Sequence, residues 1–219
     1  MRIRFILALV FSTSVAMAQI KPTFFQYGPK IGAQLATVQI IDSPIEASFN
    51  NNVKLQGGIF TRFNVGDFSL QPEFVFQQKG AVLSNTPPQT HTYNYLSTPI
   101  LLGYSPIKGV YFEAGPEFSR ALNAGKANTV TQRYGPDAVT DMGLIVGTRI
   151  NMLDMFSLVS MNIRYSQGLT NSTTRLSGTT PLDFRNRTIE LSITYTFSEY
   201  YKWWKKYGNG IDLLKKKKK

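Results

Sequence analysis

Apolar and polar residues alternate with a period of two along most of the chain. In the stretch 53–65 (VKLQGGIFTRFNV), Val53, Leu55, Ile59, Phe63 and Val65 share one face, and Lys54, Gln56, Phe60, Arg62 and Asn64 the other. Such alternation predicts a strand with one apolar and one polar side. Gly66-Asp67 then supplies a tight turn. Beyond it, Phe68, Leu70, Phe74 and Phe76 alternate with Ser69, Gln71, Glu73 and Gln77, so the two runs form a hairpin. The same phrase recurs around residues 30–35, 95–104, 110–119, 143–150, 159–166 and 189–197, which predicts eight strands.

The connections alternate in length. Strands two and three, four and five, and six and seven are joined by short segments: Gly66-Asp67, 105–109 and 151–156. The other joins, near 39–52, 81–92, 122–140 and 169–184, are long and rich in Asn, Thr, Ser, Gly and Pro. Short turns on one side and long polar loops on the other mark an outer-membrane barrel. A soluble β protein shows the same alternation with the apolar face inward. Several features favour the membrane. Strands of nine or more alternating residues suit a bilayer crossing. Glycines on the polar face (Gly32, Gly58, Gly115, Gly143, Gly147) suit a crowded lumen. Aromatic residues near strand ends (Tyr27, Phe68, Tyr93, Tyr104, Tyr165, Tyr195, Phe197) suit interfacial girdles. The expected fold is all-β: an eight-stranded antiparallel up-and-down transmembrane β-barrel with short periplasmic turns and longer extracellular loops.

The N-terminus supports export. Arg2 and Arg4 precede the apolar run 5–11 (FILALVF), and Ala16-Met17-Ala18 is a cleavage pattern. Residues 1–18 therefore read as a secretory signal peptide, since the run is too short for the roughly 20 residues of a spanning helix. Residues 19–197 form the barrel, and 198–219 a basic, aromatic C-terminal tail. The net charge of +11 is concentrated at the ends: the tail holds eight lysines against Glu199 and Asp212. The body between is close to neutral, so a nucleic-acid partner is not expected. With no cysteine and one histidine, thiolate metal sites and histidine clusters are excluded. No cofactor or metal pattern occurs.

The phrases YLSTPILLGY (95–104), GPEFSRAL (115–122), DMGLIVGTRI (141–150), IRYSQGLTN (163–171) and the closing IELSITYTF (189–197) resemble the PorT-type outer-membrane β-barrel family. The resemblance covers essentially 27–197. It implies an eight-stranded barrel in the cell outer membrane, inserted by the barrel-assembly machinery. Family members often carry a glutamate before the apolar run of the proline-containing strand and a lysine after it. Ser97 and Gly103 stand at those points here. The family is named after a component of a secretion and gliding apparatus, and most members have no assigned activity.

With the apolar face in lipid, the lumen receives Lys30, Lys54, Arg62, Lys79, Arg149 and Arg164, together with Glu73, Glu113, Glu117 and Glu190. Eight strands leave an interior only wide enough for side chains to fill. Buried charges must be compensated there, so these residues are expected to form a structural ionic network. Arg62, Arg149 and Arg164 should each reach one of the glutamates. A narrow porin-like path is the alternative. Catalysis would need a base at the outer rim, and the single candidate is His91, read as a solvated loop residue. In the tail, Tyr200, Tyr201, Trp203 and Trp204 are candidates for the membrane interface, with Lys202, Lys205 and Lys206 near anionic headgroups. The expected role is a structural or interaction scaffold without catalysis. Its partners are the lipid bilayer of the outer membrane and a periplasmic or surface protein.

Overall fold

The computed structural model describes residues 24–41, 49–50, 52–83, 89–128, 133–152, 158–177 and 180–197. Eight long strands, numbered in chain order, build it: β1 (Phe25–Ile41), β2 (Asn52–Val65), β3 (Phe68–Lys79), β4 (Tyr93–Ile107), β5 (Val110–Ala121), β6 (Thr140–Asn151), β7 (Val159–Gly168) and β8 (Thr180–Tyr195). Each pairs antiparallel with its neighbours in sequence. β8 returns to β1 over Lys30↔Thr194 to Ile41↔Asp183, so the sheet closes with no free edge. Closure satisfies every ladder within the wall, which a sheet in lipid requires.

The alternation of the sequence becomes the two faces of the wall. Ile59 is 60% exposed and Phe74 50%, with Ile31, Leu55, Leu102, Phe112, Leu144, Ile163 and Leu191 also outside. The buried side is polar, with Gln71, Glu73, Glu113, Arg149, Arg164, Asn162 and Thr194 inside. This is the inverse of a water-soluble barrel and matches a wall facing hydrocarbon.

Tight turns at Gly66-Asp67 and Lys108-Gly109 close one end, with Gly66 at φ 60 and Gly109 at φ 85, where glycine carries no Cβ penalty. The third short join lies largely outside the described residues. Aromatic rings gather at this end. Phe24 and Phe25 pack on Phe63, Phe25 stacks on Tyr27, and Tyr27 meets Phe197 at 5.8 Å across the β1–β8 seam. The strand start and Phe197 thus share the short-turn side, which is periplasmic in such barrels.

The opposite end is more structured than long polar loops imply. Short strands Phe49–Asn50, Val82–Leu83, Gln89–His91, Arg133–Tyr134 and Ala127–Asn128 join in a second, five-stranded sheet drawn from three connections. Thr173–Ser177 extends β8 as a hairpin above the wall. Inside this end, Val38, Ala81, Tyr93, Tyr95, Ala121 and Phe184 form a small apolar core. Tyr93, expected in an interfacial girdle, is fully buried in that core. Its parity with Tyr95 turns it inward.

Candidate functional site

Strand parity sends the candidate charges to one lumen. Gln71, Glu73, Gln77 and Lys79 enter from β3, Glu113 and Glu117 from β5, Arg149 from β6, Arg164 from β7 and Glu190 from β8. Small residues opposite make the room. A Cβ on Gly147 would stand 2.6 Å from Cγ of Arg164, and one on Gly143 would stand 3.4 Å from a Glu117 carboxylate oxygen.

Arg164 is the centre of the arrangement. Its Nη1 lies 2.8 Å from Oε1 of Glu73 and its Nη2 lies 2.8 Å from Oε2 of Glu113. Glu190 stands 3.8 Å from Nη1. Lys30 Nζ ties the same group together from β1, at 2.8 Å from Glu73 and 2.7 Å from Glu190. Gln71 donates to Glu73 and Ser192 to Glu190. Isolated charges at such depth would cost several kcal/mol each. Here each of these carboxylates has at least one cation and further donors.

Toward the periplasmic end, Arg149 donates through Nε to Glu113 at 2.7 Å and through Nη1 to Asn151 at 3.0 Å. Its guanidinium lies 3.7 Å from the centre of the Tyr111 ring, a cation–π stack. Arg62 departs from the expectation that it would reach a glutamate. It donates to Gln71 at 2.5 Å and Gln26 at 2.8 Å and stacks on Phe60. Both hydrogen-bond partners are neutral amides. Its position on β2, beside β1 and β3, faces Gln26 and Gln71, and the glutamates enter deeper.

Toward the outer end, Lys79 pairs with Glu117 at 2.9 Å, and Ser166 and Gln77 also donate to Glu117. Lys54 donates to Thr92 Oγ1 at 3.4 Å. Sequence reasoning missed Asp141, which is buried and accepts from Asn186 at 2.8 Å and Thr170 at 2.7 Å. It sits just before the predicted strand 143–150, and its parity with Gly143 was the available signal. His91 is buried, with Nδ1 3.2 Å from the Tyr93 hydroxyl. It is therefore a packed residue of the outer cap and not a solvated loop histidine. Among the described residues no cluster of three metal-ligating side chains occurs. Tyr200, Tyr201, Trp203 and Trp204 lie outside the described residues, as do residues 1–18.

The arrangement is an inverted barrel with a bridged, charged interior. Its sequence match agrees: the outer membrane protein beta-barrel domain covers residues 17–174. The chain belongs to that family. It is an integral protein of the outer membrane. No curated protein matches the sequence. Solved barrels are similar at low identity. Ail, the attachment invasion locus protein of Yersinia pestis, in complex with the heparin analogue sucrose octasulfate, is 14% identical. That match covers 80% of this chain and 100% of Ail, with a TM-score of 0.47. Neisserial surface protein A is 10% identical over 80% of this chain and 98% of its own, with a TM-score of 0.44. AlkL, an outer membrane protein solved in lipid bilayers, is 10% identical over 82% and 94%, with a TM-score of 0.40.

Proposed function

We propose that this chain is a plugged scaffold barrel, which holds its outer sheet at the cell surface and acts by interaction and not by catalysis. The single observation that supports it is the bridging of the lumen by Arg164, which reaches Glu73 of β3 and Glu113 of β5 from β7. One side chain thereby ties three strands of the wall across its interior. An open conduit would leave such charges hydrated and separable. The test is single-channel recording in planar bilayers. A closed plug gives no steps above background, and Glu113→Gln weakens the plug without an increase in conductance. Steady ohmic conductance of the wild-type barrel would overturn the scaffold reading in favour of a narrow channel.

The phrases that resemble the PorT-type family support a scaffold to which a periplasmic or surface protein of a secretion or gliding apparatus attaches. Residues 1–18 serve as the export signal, the barrel-assembly machinery inserts 19–197, and the tail 198–219 faces the periplasm. Pull-down of the intact protein from its native membrane tests the partner. Recovery of lipid and assembly factors alone would count against an attached apparatus.

A further inference from the structure

The polarity of the wall reverses near its outer end, and the level of that reversal locates the membrane boundary. Through most of the barrel, apolar residues face out and charges face in. Around Val38, Tyr93, Tyr95, Ala121 and Phe184 the interior becomes an apolar core. On the outer face the residues interleaved with these are mostly polar: Gln39 beside Val38, Asn94 between Tyr93 and Tyr95, Arg120 beside Ala121, and Arg185 and Arg187 after Phe184, with Leu96 and Leu122 the apolar exceptions. Inward apolar and outward polar is the order of a protein in water, so the wall leaves hydrocarbon here. One step below, Leu35, Phe76, Phe118, Met142 and Ile189 still face outward and exposed.

Among the described side chains, the charged members of this outward ring share one sign. Among the described side chains of the eight strands, every carboxylate (Glu73, Glu113, Glu117, Asp141, Glu190) is buried in the lumen. Arg120 is exposed on β5, next to the outward Phe118. Arg187 on β8 is half-buried in a polar ribbon along the outer wall. Its Nε donates to Gln167 of β7 at 3.1 Å, its Nη2 donates to Gln39 of β1, and Tyr165 donates to the same Gln167 at 2.7 Å. These partners are neutral, so they orient the guanidinium and leave its charge uncompensated. Arg185 adjoins it on the same face, opposite Gln39.

We propose that Arg120 and Arg187, with Arg185 beside the latter, form a phosphate-binding rim for anionic lipid headgroups of the outer leaflet. A guanidinium fork matches phosphate oxygens in pairs. A basic side chain at a charged lipid surface is attracted within about a Debye length. The ribbon Gln39–Arg187–Gln167 pre-orients one such fork at the depth where phosphates lie. Arg120 supplies a second contact three strands around the wall.

The experiment places the full-length barrel in phosphatidylcholine nanodiscs, in discs containing phosphatidylglycerol, and in discs containing a phosphorylated glycolipid. Melting temperature and co-purified anionic lipid are read for wild type, Arg120→Gln/Arg187→Gln and Lys108→Gln. Wild type should melt higher in at least one anionic disc than in phosphatidylcholine. The double variant should lose most of that increment while melting unchanged in phosphatidylcholine, and its lipid retention should fall by roughly fivefold per arginine. High salt should erase the difference. A rise with both anionic lipids assigns the rim to phosphate in general, and a rise with the glycolipid alone assigns it to that lipid. No rise in wild type, an increment intact in the double variant, or an equal loss in Lys108→Gln at the periplasmic turn would each overturn the proposal.

Discussion

Arg164 and Arg62 occupy the same lumen and have the same chemistry, yet their surroundings differ. Arg164 neutralises Glu73 and Glu113 and stands near Glu190, whereas Arg62 meets two amides. Removing one partner of a buried ionic set leaves uncompensated charge, at about 3–5 kcal/mol, while removing a cation bonded to neutral amides leaves only their oxygens short of a donor, at about 1–3 kcal/mol. Arg164→Met should therefore lower barrel stability by about 3–5 kcal/mol, and Arg62→Met by about 1–3 kcal/mol. Urea-induced unfolding in micelles, followed by loss of heat-modifiable migration, measures both. Equal losses would mean that the glutamates do not distinguish the two cations. Which residues enter the lumen was legible from parity alone, as Arg62, Glu73, Glu113 and Arg164 demonstrate. Which of them pair was not. Pairing depends on depth along the axis and on distance across the lumen, and neither is encoded by alternation.

At the scale of the strands, the bulky cations depend on missing side chains opposite. Gly147 of β6 is registered with Arg164 of β7, and a Cβ there would lie 2.4 Å from the Ile163 carbonyl oxygen and 2.6 Å from Arg164 Cγ. Gly57 of β2 is different, because the nearest atom to its Cβ would be the Lys30 carbonyl oxygen at 3.8 Å. Gly147→Ala should cost about 1–3 kcal/mol through overpacking. Gly57→Ala should be neutral or stabilising by about 0.5–1 kcal/mol, since alanine loses less backbone freedom. Melting of the two variants in the same detergent checks the pair, and matched behaviour would refute the packing argument. All eight strands and both described tight turns were legible, because the period of two is strong and glycine marks the turns. The outer sheet was not. Its strands, such as Arg133–Tyr134 beside Gln89–His91, are two or three residues long and pair across distant connections, so they leave no periodic trace. The inward turn of Tyr93 was hidden for a related reason. The outer cap keeps the parity of the wall but reverses its surroundings.

For the molecule as a whole, the decisive joint is the seam between the first strand and the last. Its ladder runs from Lys30↔Thr194 to Ile41↔Asp183, and its periplasmic end is fastened by the rings of Tyr27, Tyr195 and Phe197. Aromatic pairs of this kind contribute about 0.5–1.5 kcal/mol each beyond their buried area. The β1–β8 ladder runs unbroken from Lys30↔Thr194 to Ile41↔Asp183, so closure is expected to hold without 198–219. Deleting 198–219 should leave a heat-modifiable barrel that melts as the full chain does. Adding Phe197→Ala to that deletion should lower stability by about 1–3 kcal/mol, through loss of both ring contacts. Trp203 and Trp204 are the two tryptophans of the chain, so the full-length protein carries its own reporter of the tail. Emission that is blue in anionic vesicles and reddens with salt places the tail at the headgroups, because lysine attraction to that surface is screened. A truncated chain that fails to become heat-modifiable would make the tail part of closure, and the seam as described would then be insufficient to hold the barrel shut.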